Sequence, residues 1–195
     1  MTFKEFALKT AENFNYQKMD EEERPFALRL GQWIAQNLQA KKVTDLGAGT
    51  GVYVEELRRL GVAAQGYDIA DPQPRPDLVQ KRTMFGVQDP ADVVVCLEVA
   101  EHVLSHLAEL VIASCWRNVK PGGYCVFSAA QPGQGGVGHI NCRYPEYWRN
   151  LAREAGFVLV PNQEQQMLRD IRAGYHMGWF ANNGQLWHRP HDSVA

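Results

Sequence analysis

The sequence predicts an α/β fold: a mostly parallel sheet with helices on both faces. Three observations carry that expectation. The run Val43-Thr44-Asp45-Leu46 passes into Gly47-Ala48-Gly49-Thr50-Gly51 and then straight into a helical pattern. A second short strand, 63–67, follows and ends at Asp68, so strand, glycine turn, helix and strand fill one βαβ-sized unit. Finally, Ala91-Asp92-Val93-Val94-Val95-Cys96-Leu97 is apolar with little alternation, the pattern of a strand covered on both faces.

The elements follow in order. Phe3, Phe6, Ala7 and Phe14 lie near helical spacing, which predicts a helix over 3–17 that packs on the core or covers one edge of a ligand site. Asp20-Glu21-Glu22-Glu23 places acid at the start of a second helix, where it suits the macrodipole. Phe26, Leu30, Trp33, Ile34 and Leu38 continue that helix to about residue 39. Residues 1–40 therefore read as a helical cap packed on a core domain of residues 41–190. The first strand covers 42–46 and the next helix 51–60, with Val52, Leu57 and Leu60 toward the sheet and Gly61 as its C-cap. Alternate prolines make Asp71-Pro72-Gln73-Pro74-Arg75-Pro76 a stiff loop. A weak strand is expected near 78–80, and a helix over 100–118 after the strand at 91–97. Lys120-Pro121-Gly122-Gly123 is a turn, followed by a strand at 124–129. The glycines of 131–143 exclude regular structure, and this loop leaves the C-terminal end of a strand, where open α/β sheets place their ligands. A helix at 145–155 stopped by Gly156, a strand at 157–160, a polar helix from Pro161 to 173 and a last strand at 185–188 complete the chain.

Composition bounds the function. The chain has 195 residues, enough for one domain with a full core. A formal net charge of -2 argues against an extended nucleic-acid surface, which would be basic. The cysteines at 96, 115, 125 and 142 form no C-x-x-C pair and no zinc-type spacing with histidine, so no metal site or disulfide framework is expected. Cys96 and Cys125 read as small core residues. No apolar run approaches the ~20 residues of a membrane span, and the N-terminus lacks the apolar stretch of a signal peptide. The chain is expected in the cytoplasm, as a monomer or homodimer.

Two ligand classes use a strand, a glycine turn and an acid at the end of the next strand. The dinucleotide pattern G-x-G-x-x-G fails here, because Val52 stands at its third glycine. Instead Gly47-x-Gly49-x-Gly51, preceded by Asp45, resembles the first motif of the class I S-adenosylmethionine-dependent methyltransferases. Gly66-Tyr67-Asp68-Ile69 is similar to their second motif. Asp92 through His102, with Glu98 and Glu101, resembles the strand-end block of their small-molecule branch, and Lys120-Pro121-Gly122-Gly123 the turn before their fifth strand. The resemblance covers about residues 40–130. Residues 128–143 resemble a narrower subgroup of that branch with an "SAA-PGQGG-GH-N" loop.

The resemblance implies a Rossmann-like sandwich around a seven-stranded sheet with the last strand antiparallel. It implies S-adenosyl-L-methionine as cofactor, S-adenosyl-L-homocysteine as product and a small-molecule methyl acceptor. Its motifs place the cofactor against Asp45, Leu46, Gly47, Ala48, Gly49, Gly51, Asp68, Ile69, Glu98 and Val99. Asp68 would accept both ribose hydroxyls, since a carboxylate has two acceptor oxygens for a vicinal diol. The adenine contact departs from the family pattern and falls among Asp77, Gln80, Gln88 and Asp89.

For catalysis the sequence offers His139 first, as a base suited to neutral pH or as a loop anchor. His102 comes second, as a base or as packing beside the cofactor. Cys142 has no evident partner. Asn141 and Arg143 are possible orienters of the acceptor. Trp148, Tyr175, Trp179 and Phe180 are read either as pocket walls or as core. Two other readings stay open: a catalytically silent cofactor-binding scaffold, and a methyltransferase acting on a macromolecule.

Overall fold

The computed structural model describes residues 3–70, 75–172 and 178–192, with the side chains of residues 3, 4, 6 and 7 excepted. The start of the proline loop, 71–74, and Tyr175 lie outside the described residues, as do the side chains of Phe3, Phe6 and Ala7.

Two helices, α1 (Phe3–Ala11) and α2 (Tyr16–Asn37), precede the sheet. They are followed by β1 (Lys42–Leu46), α3 (Val52–Arg59), β2 (Ala63–Asp68), β3 (Val79–Lys81), β4 (Ala91–Leu97), α4 (Ala108–Asn118) and β5 (Val119–Ser128). The chain ends with α5 (Pro145–Ala155), β6 (Val158–Leu159), α6 (Pro161–Arg172), α7 (Gly178–Asn183) and β7 (Gln185–His188). Among the described residues the sheet has seven strands in the order β3-β2-β1-β4-β5-β7-β6. The first five pair in parallel, while β7 runs antiparallel to both β5 and β6. The order reverses between β1 and β4, and that reversal opens a crevice at their C-terminal ends.

Alternation along β4 shows why the sheet is buried on both sides. Val93 and Val95 face one apolar layer with Phe26, Leu30, Ile34 and Leu57. Val94 and Cys96 face the other, with Ile112, Phe127, Trp148 and Trp187. Cys96, Cys115 and Cys125 are all fully buried in this second layer. Helix α2 belongs to the first layer. Phe26 packs against Tyr53, Trp179 and Phe180. Arg24 adds ion pairs to Glu55 at 3.0 Å and Glu56 at 2.8 Å, which tie α2 to α3.

Three expectations are corrected. The helix expected over 3–17 stops at Ala11, and α2 starts at Tyr16, ahead of the acidic run, because the Asn15 side chain accepts from Lys18 N at 3.1 Å and caps the new helix. The helix expected over 100–118 begins only at Ala108; before it lie two short 3-10 turns, Ala100–His102 and Ser105–Leu107, separated by an extended Val103. The Lys120-Pro121-Gly122-Gly123 turn is a bulge within β5, since Ala91 pairs with Val119 but Val93 with Tyr124. A further helix, α7, lies between the polar helix and the last strand, where no element was expected.

Phe26 is fully buried and joins α2 to three aromatic neighbours. Phe26→Ala should cost about 3–5 kcal/mol of unfolding free energy in a denaturant titration.

Candidate active site

A cavity of about 270 Å³ lies in the crevice, between the C-terminal ends of β1, β2 and β4 and the N-terminal helices. The glycine turn shapes its floor. Gly47 N and Ala48 N donate to Tyr67 O at 2.8 and 3.2 Å, which stitches the turn to β2. Gly47 has φ 83°, and a Cβ there would run into Val99. Gly49, at φ 52°, has nothing within 4 Å of its missing Cβ, so a ligand can lie directly against the backbone. Gly51 turns away and packs against Leu78 and Val79. Leu46 is fully buried in the second apolar layer. Of the residues expected at the cofactor, Leu46 and Gly51 are therefore not in the cavity wall, whereas Asp45, Gly47, Ala48, Gly49, Asp68, Ile69, Glu98 and Val99 are.

The wall is acidic. Asp68 accepts from Gly49 N at 2.9 Å and Ala70 N at 2.8 Å, yet burial still holds its carboxyl above the usual range. Asp45 is 3% exposed and its Oδ2 has no hydrogen-bond partner. Burial, reinforced by Asp68 and Glu23, pushes it up to about 8. Glu23 reaches in from α2; burial raises it to about 7, although Tyr53 donates to its Oε2 at 3.1 Å. Glu98, at the end of β4, has a left-handed φ of 51°. Its N–H donates to Ser128 O at 3.1 Å, and its Oε1 accepts from Asn183 Nδ2 at 3.3 Å, which holds the strained residue in place. Burial raises this carboxyl too. Asp20 is different, because Arg24 at 2.7 Å and the Thr50 hydroxyl at 2.9 Å satisfy it. Among the described lining residues there is no lysine and no arginine.

Sequence reasoning missed the part of this wall that α2 supplies. Tyr16, Met19, Asp20 and Glu23 all line the cavity. Their i, i+3, i+4, i+7 spacing puts them on one helix face, a signal that was present but masked by reading the acids as dipole partners. In the stretch expected to meet adenine, Thr83 and Met84 form the wall. The Asp89 carboxylate is paired with Lys42, its carbonyl accepts from the Thr44 hydroxyl, and Gln88 donates to Thr83 O and Phe85 O. Asp77 and Gln80 do not line the cavity.

The two histidines close the far end. His139 Nδ1 donates to Gln134 O at 3.3 Å, leaving Nε2 as an acceptor, 4.0 Å from Glu101 Oε1. His102 Nδ1 donates to Gly138 O at 3.2 Å, with Phe14 edge-on against its ring and His139 4.9 Å away, centroid to centroid. Burial first and His139 second lower His102 to about 4, so it is neutral at neutral pH. The fold also brings ligand atoms of Glu101, His102 and His139 within 4.8 Å of one another, a convergence invisible in the sequence spacing. The loop is pinned from below, where Ile140 N and Asn141 N both donate to Glu101 O at 2.9 Å.

Other candidates fall away from the cavity. Asn141 donates to Ala100 O and accepts from Arg143, whose guanidinium stacks on Tyr147. Cys142 is held above the usual thiol range by burial and nearby Glu101, and it does not line the wall. Trp148 and Phe180 are core residues, and Trp179 packs on Phe26.

A family model described as a methyltransferase domain matches residues 17–162. The chain belongs to the methyltransferase-domain family. Among its relatives, a ubiquinone biosynthesis O-methyltransferase of Pseudomonas fluorescens is 34% identical over 113 residues, covering 49% of this chain and 48% of the relative. One of the same name from Proteus mirabilis is 30% identical over 172 residues, covering 80% of this chain and 65% of the relative. The chain thus spans about half to two thirds of the length of these relatives. The solved Burkholderia thailandensis 1,6-didemethyltoxoflavin-N1-methyltransferase, with 1,6-didemethyltoxoflavin and S-adenosylhomocysteine bound, shares the fold at TM-score 0.60 and 17% identity, over 84% of this chain and 78% of that one. Within this methyltransferase-domain fold no helix of the described residues is long and apolar enough to cross a membrane.

An ionised Asp45 is disfavoured in the folded methyltransferase domain but not in the unfolded chain, so its cost to stability grows from pH ~4 up to its folded value of about 8. In ligand-free protein, Asp45→Asn should raise the melting temperature by several degrees at pH ~8 and by much less at pH ~5, a difference that thermal unfolding at the two pH values would read.

Proposed function

We propose that the protein is a cytoplasmic S-adenosylmethionine-dependent methyltransferase that moves a methyl group to an O, N or C atom of a small molecule. It acts as a monomer or homodimer, and residues 1–40 form a helical cap that completes the cavity of the domain at 41–190. The observation that carries this reading is the match between cavity and ligand chemistry. A glycine cradle lies beside Asp45, a buried carboxylate with an unpartnered oxygen, and Asp68 stands at the adjoining strand end. A cationic ligand with a vicinal diol fits that set. The family match over 17–162 and the names of the relatives support it.

In this reading Asp68 takes the ribose hydroxyls, Ile69, Thr83 and Met84 border the adenine, and Gly47, Ala48 and Gly49 present backbone to the cofactor. Asp45, Glu98 and Val99 border its amino-acid and sulfonium end. When bound, the cofactor supplies an electrophilic methyl group, so the chain mainly has to align the acceptor and exclude water. His139 Nε2 removes the acceptor's proton, with the ring held in one tautomer by Gln134 O. His102, neutral and hydrogen-bonded to Gly138 O, holds the loop that carries His139.

Calorimetry with S-adenosylhomocysteine tests the cradle: Asp68→Ala should weaken binding at least about tenfold by removing charge-assisted hydrogen bonds. Unchanged affinity would sink the ribose assignment. Asp45 and Glu23 must each lose a proton to meet a cation, and they lie at about 8 and about 7 in the free protein. Affinity for S-adenosylmethionine should therefore rise between pH ~6 and ~8 and then level off. His139→Gln should lower kcat by about 10²-fold or more while leaving the Kd of S-adenosylhomocysteine within a factor of about two.

A further inference from the structure

We infer that Asn183 is a positioning residue that ties the two ends of the cavity together, holding Glu98 with one amide hydrogen and the loop of His139 with the other. The inference rests on the methyl-donor reading and adds to it a residue that lies outside the cavity wall. Asn183 ends α7, is fully buried and does not line the cavity. Its Nδ2 donates to Glu98 Oε1 at 3.3 Å and to Gln134 Oε1 at 3.0 Å, while its Oδ1 accepts from Gln131 Nε2 at 3.0 Å. Backbone groups fix these roles. The Gln131 N–H can only donate, and it donates to Gln134 Oε1, so that end of the Gln134 amide is the oxygen. The Asn183 atom facing it is therefore the nitrogen. On the other side, Gln131 Nε2 also donates to Asn182 O, which can only accept, so the Asn183 oxygen is the atom turned toward it.

Each hydrogen of the amide serves a different end. Glu98 stands at the end of β4 with a left-handed φ of 51°, and Asn183 holds its carboxyl alongside Ser128 and Glu101. The other hydrogen acts on His139 through Gln134. Gln134 N donates to Gln131 O at 3.0 Å, which closes residues 131–134 into a turn, and Gln134 O meets His139 Nδ1 at 3.3 Å. Gly133, Gly135 and Gly136 flank Gln134. Glycine backbone holds no single conformation by itself, so the anchor is the Gln134 side chain. With Gln134 O in place, the imidazole carries its proton on Nδ1 and presents Nε2 as an acceptor. Released, the ring reverts toward the Nε2–H form favoured in water, and that nitrogen can no longer take a proton from an acceptor. Leucine has nearly the shape of asparagine without its donors, so Asn183→Leu removes both bonds and little volume.

The test reads the His139 tautomer in the full chain by long-range proton–nitrogen correlation spectroscopy at pH ~9, above the ordinary histidine range. The spectrum of His139→Gln identifies its signals among the six histidines. Wild-type His139 should be mainly the Nδ1–H form. Asn183→Leu and Gln134→Met should each shift the tautomer ratio toward Nε2–H by about fivefold or more, and the double variant should shift it no further, since both act through one bond. Calorimetry should show Asn183→Leu weakening S-adenosylhomocysteine binding by about threefold or more, through Glu98, with Gln134→Met keeping the Kd within a factor of about two. Phe180→Leu loosens the same helix but keeps the amide, and should move neither readout. Gln134 is only half-buried in its loop, so Gln134→Met reads the tautomer whether or not Asn183→Leu folds. A wild-type ring mainly in the Nε2–H form, an unchanged ratio in Gln134→Met, a shift in Phe180→Leu as large as in Asn183→Leu, or unchanged affinity in Asn183→Leu overturns the inference. Failure of S-adenosylhomocysteine to bind the wild type overturns the methyl-donor reading beneath it while the tautomer spectra stay readable, so the two failures are told apart.

Discussion

The buried carboxylate of Asp45 is the constraint to which the rest of the molecule conforms. A carboxyl group buried at the end of a central strand, with one oxygen lacking a hydrogen-bond partner, is costly to ionise unless a ligand completes it. The surrounding chain makes room for such a ligand. In register with Asp45 stands Gly66 on β2, where a Cβ would come 2.6 Å from Ala48. The turn that follows Asp45 takes positive φ at Gly47, Gly49 and Gly51, angles that glycine adopts without the strain a side chain brings. Asp45, Asp68 and Glu98 thus converge from three strand ends, and α2 brings Glu23 over the top.

Two halves of the cavity are built by different means. The side proposed for the methyl donor is made of strand ends fixed by the register of a sheet buried on both faces. The side proposed for the acceptor is made of loop, and backbone carbonyls set its geometry: Gln134 O and Gly138 O each fix one imidazole, and Glu101 O holds two successive N–H groups of the loop. The irregular turns between β4 and α4 belong to this arrangement. A continuous helix from Ala100 would carry helical hydrogen bonds at Glu101 O, whereas here that carbonyl is free to anchor Ile140 and Asn141.

What could be read from the chain follows the same division. The β1 turn, β4 and α5 were legible because each depends on local pattern: glycine spacing, an unbroken apolar run, and a proline start with a glycine stop. β1, β4, α5 and β7 fall where expected. The capped break at Asn15 and the late start of α4 were not legible, since both hinge on single hydrogen bonds or on contacts from loops distant in sequence. The strand-end acids stood out as motif positions, but Glu23 did not, because the acids of 20–23 read as partners of the helix dipole rather than as one face of α2. Gly51 and Leu46 show the converse error. They sit inside a motif, yet one supports β3 and the other fills the core.

The division has an evolutionary consequence. Residues 129 to 144 leave the end of β5 and return at α5, held by backbone bonds to Glu101 O and by the Gln131 side chain on Asn182 and Asn183. In the proposed reading, exchanges along its exposed stretch reshape the acceptor side while the strand-end acids stay in register. A lineage with this architecture can therefore change what it modifies faster than the reagent it uses.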